Sequence, residues 1–395
     1  MGYLFTDIRI VSMDPDRPRL FRGDCLVEGR KIAKIDKGIP KSFHKVIEGE
    51  HLLLMPGFVN CHTHVSMSLL RGYADDLELF DWLSNRIWPV EGKLTKEDVL
   101  LGAQLGIGEM LLSGTTSFLD MYQDMDQVAL AVMESGIRGH LSRGTIHTGD
   151  SKKDDAAIAQ LEDLAKTWHG YDEDRIRILA GPHAVYTNEE NFLKRQLEVA
   201  RTYGLGMNIH VSETLKENED SLAKTGKTPL GFLKDLGVLD APYVVAAHMV
   251  HLTDLDLKTA REKRVGVAHN PKSNLKLGSG IADILRLQQE GIGVGIGTDG
   301  AASNNLQDMV SELRFATLLQ KGIHRNAQAL PAYETLRMAT LGGAEVLHMA
   351  DQVGKIKEGY EADLILFDWI SPIMNPWSMT PSPASSIVVA PAISP

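Results

Sequence analysis

The chain has 395 residues, 43% hydrophobic and 24% charged, with 41 Lys and Arg against 52 Asp and Glu, a formal net charge of −11. That is enough for one large domain or two ordinary ones with a substantial core, and an acidic balance with 6% aromatics leaves no electrostatic footprint for nucleic acid or anionic lipid. Two cysteines, Cys25 and Cys61, are too few for a disulfide framework and lack the paired spacing of a zinc-thiolate site, so a reducing, cytoplasmic setting is expected.

The opening MGYLFTDIRIVSMDPDRPRL alternates polar and apolar residues and soon meets charge and proline, which suits a strand and not a signal peptide. No later stretch approaches the roughly 20 uninterrupted apolar residues of a membrane span. Residues 1–55 read as short strands with turns, through YLFTDIRIVSMD, CLVEGRKIAKID and KVIEGEHLLL. From 56 to 350 short β-rich runs alternate with helical patterns. Strands are expected around Phe58, Ser117, His140, Ile178, Ile209, Val245, Val267 and Val294, and the stretches between them, such as EDVLLGAQLGIGEMLL and NEENFLKRQLEVARTYG, repeat apolar residues at three and four. Strands joined by crossover helices run parallel, and eight such units are the number that closes a (β/α)₈ barrel. An open doubly wound sheet fits the same alternation, but no Gly-x-Gly-x-x-Gly turn follows a first strand. After the barrel, in 351–395, VGKIKEGYEADLILFD again reads as strand, so a small β-sandwich built from both termini is expected. The tail beyond Ile370, with Pro372, Pro376, Pro381, Pro383, Pro391 and Pro395, is expected to be mostly irregular.

The ionisable residues fall at the carboxyl ends of these strands, the face where barrel enzymes place their sites. His62 and His64 follow the first barrel strand and His183 the fourth; His210 and Glu213 end the fifth, His248 the sixth, His269 the seventh and Asp299 the eighth. Two residues apart on a strand, His62 and His64 point the same way and can share an ion. With His210 and Asp299 they form a set of three imidazoles and a carboxylate suited to one divalent ion per subunit, zinc foremost, with room left for water. Glu213, not needed as a ligand, is the natural proton shuttle, and His248 would orient the nucleophile and stabilise developing charge. A lone buried histidine or an Asp in a Gly-Thr-Asp-Gly turn has ordinary structural uses; convergence of several on one barrel end marks a site. His44, His51, His169 and His324 are expected at the surface, His140 and His348 in packing, His251 behind His248, and Cys61 as a buried small hydrophobe.

At MPGFVNCHTHV, HVSET, AAHMVHL, VAHNPKSNLKLGSG and GTDGAASNN the chain resembles the amidohydrolase superfamily, and within it the 5-methylthioadenosine/S-adenosylhomocysteine deaminases, over residues 1 to about 370. The resemblance implies an α/β fold, a metal-dependent hydrolase barrel flanked by the sandwich, and a single metal, because the fourth strand ends AGPHAVY without the lysine of two-metal members. It implies hydrolytic deamination at C6 of an adenine nucleoside, with Glu213 delivering a proton to N1 and Asp299 or His248 taking one from water, so that Glu213 and Asp299 also touch substrate. Glu91 matches a glutamate that accepts from the ribose hydroxyls, Trp88 is placed to contact the purine or the 5′ group, Arg143 matches a pocket arginine, and His183 one near the ribose and base. A second arginine that relatives often carry is absent, and HTGDSKKDDA offers only Lys152 and Lys153, which makes a shorter 5′ group the better expectation. The chain also looks short for the family, so an incomplete sandwich with lower stability or dependence on a partner subunit is expected. A homo-oligomer is compatible with this reading. The competing functions are a related hydrolase of another aminated or chlorinated ring, of guanine or s-triazine type, a non-catalytic barrel subunit, and a metal-storage protein.

Overall fold

The computed structural model describes residues 2–42, 44–368 and the backbone of 388–390. Eight parallel strands close a barrel: β6 (Phe58–Thr63), β7 (Thr115–Tyr122), β8 (Arg138–Thr145), β9 (Ile176–Pro182), β10 (Gly206–Val211), β11 (Val244–His248), β12 (Gly266–His269) and β13 (Val294–Ile296). All eight coincide with the runs expected from the sequence. Several, such as β6, β7 and β10, are buried along their whole length, as a parallel sheet covered by helices requires. Among the covering helices, Lys96–Leu112 starts on a capping box in which Thr95 Oγ1 accepts from the Asp98 N–H at 3.2 Å and the Asp98 carboxylate accepts from the Thr95 N–H. The helix Glu190–Tyr203 stops at Gly204, whose φ of 68° suits a residue without a Cβ.

The barrel closes where β13 meets β6, Ile296 opposite Asn60. Glycine is demanded here by close approach: a Cβ on Gly295 would lie 2.3 Å from Cys61 Sγ, and one on Gly297 2.9 Å from the His62 backbone. Cys61 thus faces away from the lumen, wholly buried in an apolar cluster with Val59 and Leu119.

Both ends of the chain build one seven-stranded sheet. It contains β1 (Gly2–Ile10), β2 (Phe21–Glu28), β3 (Lys31–Asp36), β4 (His44–Glu48) and β5 (Leu52–Pro56) from the start, with β14 (Leu364–Asp368) and β15 (Val388–Ala390) from the end. The run CLVEGRKIAKID is a hairpin turning at Gly29. KVIEGEHLLL breaks at Gly49, which packs against Ile8, into β4 and β5. β14 pairs antiparallel with β5 and with β15. Phe5, Ile8 and Ile32 share a core with Ile356, Leu364 and Leu366, so the two ends are interdependent. The rest of the proline-rich tail lies outside the described residues. Among the described residues, no helix is long and apolar enough to cross a membrane.

Candidate active site

The sites of chemistry are the strand ends, and the backbone there is unusual. Ser212, His248 and Asp299 have φ of 52°, 75° and 61°, a region that non-glycine residues seldom occupy and that clusters at functional sites. These turns aim the side chains over the barrel mouth. The Asp299 N–H bonds the His62 carbonyl at 2.9 Å, and Thr63 Oγ1 donates to the Asp299 carbonyl at 3.0 Å, fixing the end of the last strand to the end of the first.

His62 Nε2 lies 3.1 Å from His210 Nε2 and 3.7 Å from Asp299 Oδ1, and His64 Nε2 lies 3.2 Å from the same oxygen. His64 Nδ1 donates to the Met121 carbonyl at 2.5 Å and His210 Nδ1 to the His183 carbonyl at 2.7 Å, which leaves both Nε2 lone pairs free for a ligand. Burial drives His62 and His210 well below the usual histidine range, so both are neutral. Burial alone would raise the Asp299 carboxyl, but contact with His64 and the nearby His62 and His248 hold it well below the usual carboxylate range. Burial likewise pulls His64 down, yet Asp299 lifts it to about 9. The cluster therefore calls for positive charge beside a buried carboxylate. A divalent ion supplies it with the imidazoles neutral, and two overlapping groups could hold one: His62, His64 and His210, and His62, His248 and Asp299.

Behind this cluster, Glu213 is 4% exposed, accepts from Ser279 Oγ at 3.1 Å and faces His248 Nε2 at 3.7 Å. Burial raises its pKa. His248 Nε2 also lies 4.0 Å from Asp299 Oδ2, while its Nδ1 donates to Asn274 Oδ1 at 2.7 Å. Ser273 Oγ donates to Asp299 Oδ2 at 2.6 Å.

These groups floor a cavity of about 300 Å³, at the small end of ligand sites. Trp88, Glu91 and His183 also line it. Burial, with the charges of His64 and His248, takes His183 down to about 3. Glu91 has a buried Oε1 and sits beside the Tyr122 hydroxyl, and burial raises its pKa against that neighbour's hydrogen bond. Arg143 is the exception. Alternation along β8 turns Gly144 to this cavity, while Arg143 lines another with Asp124 and Trp168.

Other residues emerge only from the fold. Glu217 accepts from the backbone N–H groups of Ser212 at 3.1 Å and Glu213 at 2.7 Å. Tyr186 packs edge-on against His183, and Asp120, fully buried behind His64, accepts from the Val65 N–H at 2.7 Å. His251 donates to the Ser279 carbonyl at 2.7 Å and so acts on the Glu213 partner, not on His248. Ser273, Asn274 and Ser279 all belong to the string HNPKSNLKLGSG, a signal available without the structure. His140 and His269 are buried, and His348 stacks on Tyr243. His51 and His324 are exposed, whereas His44 and His169 are half-buried. His169 differs from a surface residue because its Nδ1 accepts the Ile178 N–H.

A model of the amidohydrolase family matches residues 53–390. The chain is 45% identical over 378 residues to a 5-methylthioadenosine/S-adenosylhomocysteine deaminase from Caldanaerobacter subterraneus subsp. tengcongensis, covering 95% of this chain and 87% of that one. An adenosine deaminase from Xanthomonas campestris with bound zinc superposes with a TM-score of 0.88 at 34% identity, over 96% of this chain and 87% of the other. An atrazine chlorohydrolase from Arthrobacter aurescens TC1 complexed with zinc gives 0.85 at 26% identity, over 93% and 87%. With the closed barrel and its histidine and carboxylate cluster, these matches mean that the chain belongs to the amidohydrolase family and is a metal-dependent hydrolase.

Proposed function

We propose that the protein deaminates adenine nucleosides at C6, adding water and releasing ammonia to leave the inosine analogue. The observation that carries this reading is the buried carboxyl of Glu213 set 3.7 Å from His248 in a cavity whose wall presents the Glu91 carboxyl. The 45% identical relative is named for this substrate class. His62, His64, His210 and Asp299 would hold one zinc ion, the metal in the Xanthomonas and Arthrobacter structures. When bound, such an ion lowers the pKa of water to about 7, making hydroxide available at neutral pH.

Glu213, whose proton affinity burial raises, delivers a proton to N1 of the purine and makes C6 electrophilic. Asp299, ionised, takes one proton from water and passes it to the departing amine, and as ammonia leaves the hydroxyl added at C6 gives its proton back to Glu213 to form the carbonyl. His248, oriented by Asn274, hydrogen-bonds the oxygen added at C6. Glu91 accepts from the ribose hydroxyls, which satisfies its buried oxygen and fixes C6 over the floor. Trp88 and His183, packed edge to face with centroids 6.3 Å apart, form one wall against the nucleoside. The test is an ultraviolet assay of 5-methylthioadenosine, adenosine, 5′-deoxyadenosine and S-adenosylhomocysteine, alongside guanine and an s-triazine, on a sample with measured metal content. Conversion of the nucleosides is expected; turnover confined to guanine or the triazine would replace the reading.

A further inference from the structure

Glu312, 0% exposed, stands in the first turn of the helix Met309–His324 and lies outside the lining of the cavity. It meets both loops that build the Asp299 side of the site. Toward β12 it faces the short helix Pro271–Lys276, where its Oε2 accepts from the Lys272 N–H at 3.4 Å and its Oε1 pairs with Lys272 Nζ at 3.3 Å. That Nζ also lies 5.4 Å from the centre of the Phe315 ring, on the same helix as Glu312. The next residue, Ser273, is the one that donates to Asp299 Oδ2 at 2.6 Å. Toward β13, Glu312 Oε1 accepts from Asn304 Nδ2 at 2.8 Å, and the same amide donates to the Thr298 carbonyl at 2.6 Å, immediately before Asp299. Asp299 needs such support, because its φ of 61° is one that a residue with a Cβ keeps only where its surroundings impose it.

We propose that Glu312 is a positioning residue that sets the Asp299 carboxylate for proton transfer, through Lys272 and Ser273 on one side and Asn304 on the other. The inference rests on the deaminase reading, in which Asp299 is the base, and deepens it. Leaving either member of a buried ion pair unmatched is costly, so the Glu312–Lys272 pair holds one geometry and fixes the backbone on which Ser273 stands. Burial raises the Glu312 carboxyl to about 7 while Lys272 opposes the rise; at about pH 8 the pair is ionised, and the measurements belong there.

Glu312→Gln keeps the shape and an acceptor for Asn304 but loses the ionic hold on Lys272. With 5-methylthioadenosine, kcat should fall by roughly tenfold while KM stays within about twofold. Ser273→Ala cuts the same path one step later, so the double variant should be slower than the slower single variant by no more than about twofold, whereas independent effects multiply. Multiplied losses, a loss in KM alone, or wild-type kcat in Glu312→Gln overturn the proposal; a merely structural role lowers the melting temperature and leaves kcat at low temperature unchanged. Should Glu312→Gln fail to fold, Lys272→Met combined with it leaves no unmatched charge and carries the same expectations. If the wild-type protein converts no nucleoside, the deaminase reading falls and the positioning is read from the metal. Asp299 belongs to one of the groups that could hold an ion, so Glu312→Gln should then surrender metal to a chelator about threefold faster or more; loss at the wild-type rate overturns the inference.

Discussion

Glu213 and Asp299 are two carboxyls that both face His248 Nε2, and their surroundings drive their affinities for protons apart: burial raises Glu213, while the imidazoles hold Asp299 down. Such divergence assigns an acid and a base within one site. Glu213→Gln keeps the shape and removes the acid, so turnover should fall by about 10²–10⁴-fold, with the metal retained by elemental analysis. Wild-type turnover in that variant would assign the proton transfer elsewhere. His62→Ala removes one of the converging nitrogens from the buried cluster, and the purified variant should contain far less metal than wild type.

At the scale of elements, the turn between β10 and the helix Leu215–Thr225 decides where Glu213 points. Glu217 spans that turn by accepting two backbone N–H groups. Glu217→Gln can accept only one of them, and a loosened Glu213 should lower kcat by about tenfold to a hundredfold with little change in KM. The same residue predicts a pH effect. Burial raises its carboxyl to about 8, against the N–H bonds that favour ionisation. Because the folded value exceeds the unfolded one, its stabilisation is complete below the ordinary carboxylate range and is lost as pH rises through about 8. The melting temperature of Glu217→Gln should therefore fall less between pH 6 and pH 9 than that of wild type. Much of this architecture was legible beforehand: the β-rich runs located all eight barrel strands, and the residues at their ends located the floor of the cavity. Which cavity Arg143 lines was not legible, because one position along a strand reverses the face. Glu217 was overlooked because its partners are backbone groups, which leave no trace in side-chain patterns.

On the scale of the whole molecule, the terminal sheet and the barrel carry separate burdens. Leu364, 1% exposed, joins the sheet core from the far end of the chain and makes no contribution to the cavity. Leu364→Ala should cost about 2–5 kcal/mol in a denaturant titration while kcat at low temperature stays near wild type. Two β-rich flanks suggested a small sandwich; the described strands form one seven-stranded sheet, whose pairing order the sequence did not reveal. β1 pairs with β2, β4 and β5 alike, through long-range registers that short alternating runs do not encode. The narrow junction between β6 and β13 has one more implication. His62 and His64 stand on one side of it and Asp299 on the other, more than half the chain away in sequence. An ion gripped by all three would act as a clasp across the closing edge of the barrel, binding the folded ring and not the open chain. Stripping it with a chelator should then lower the melting temperature as well as abolish turnover, and re-addition should restore both together.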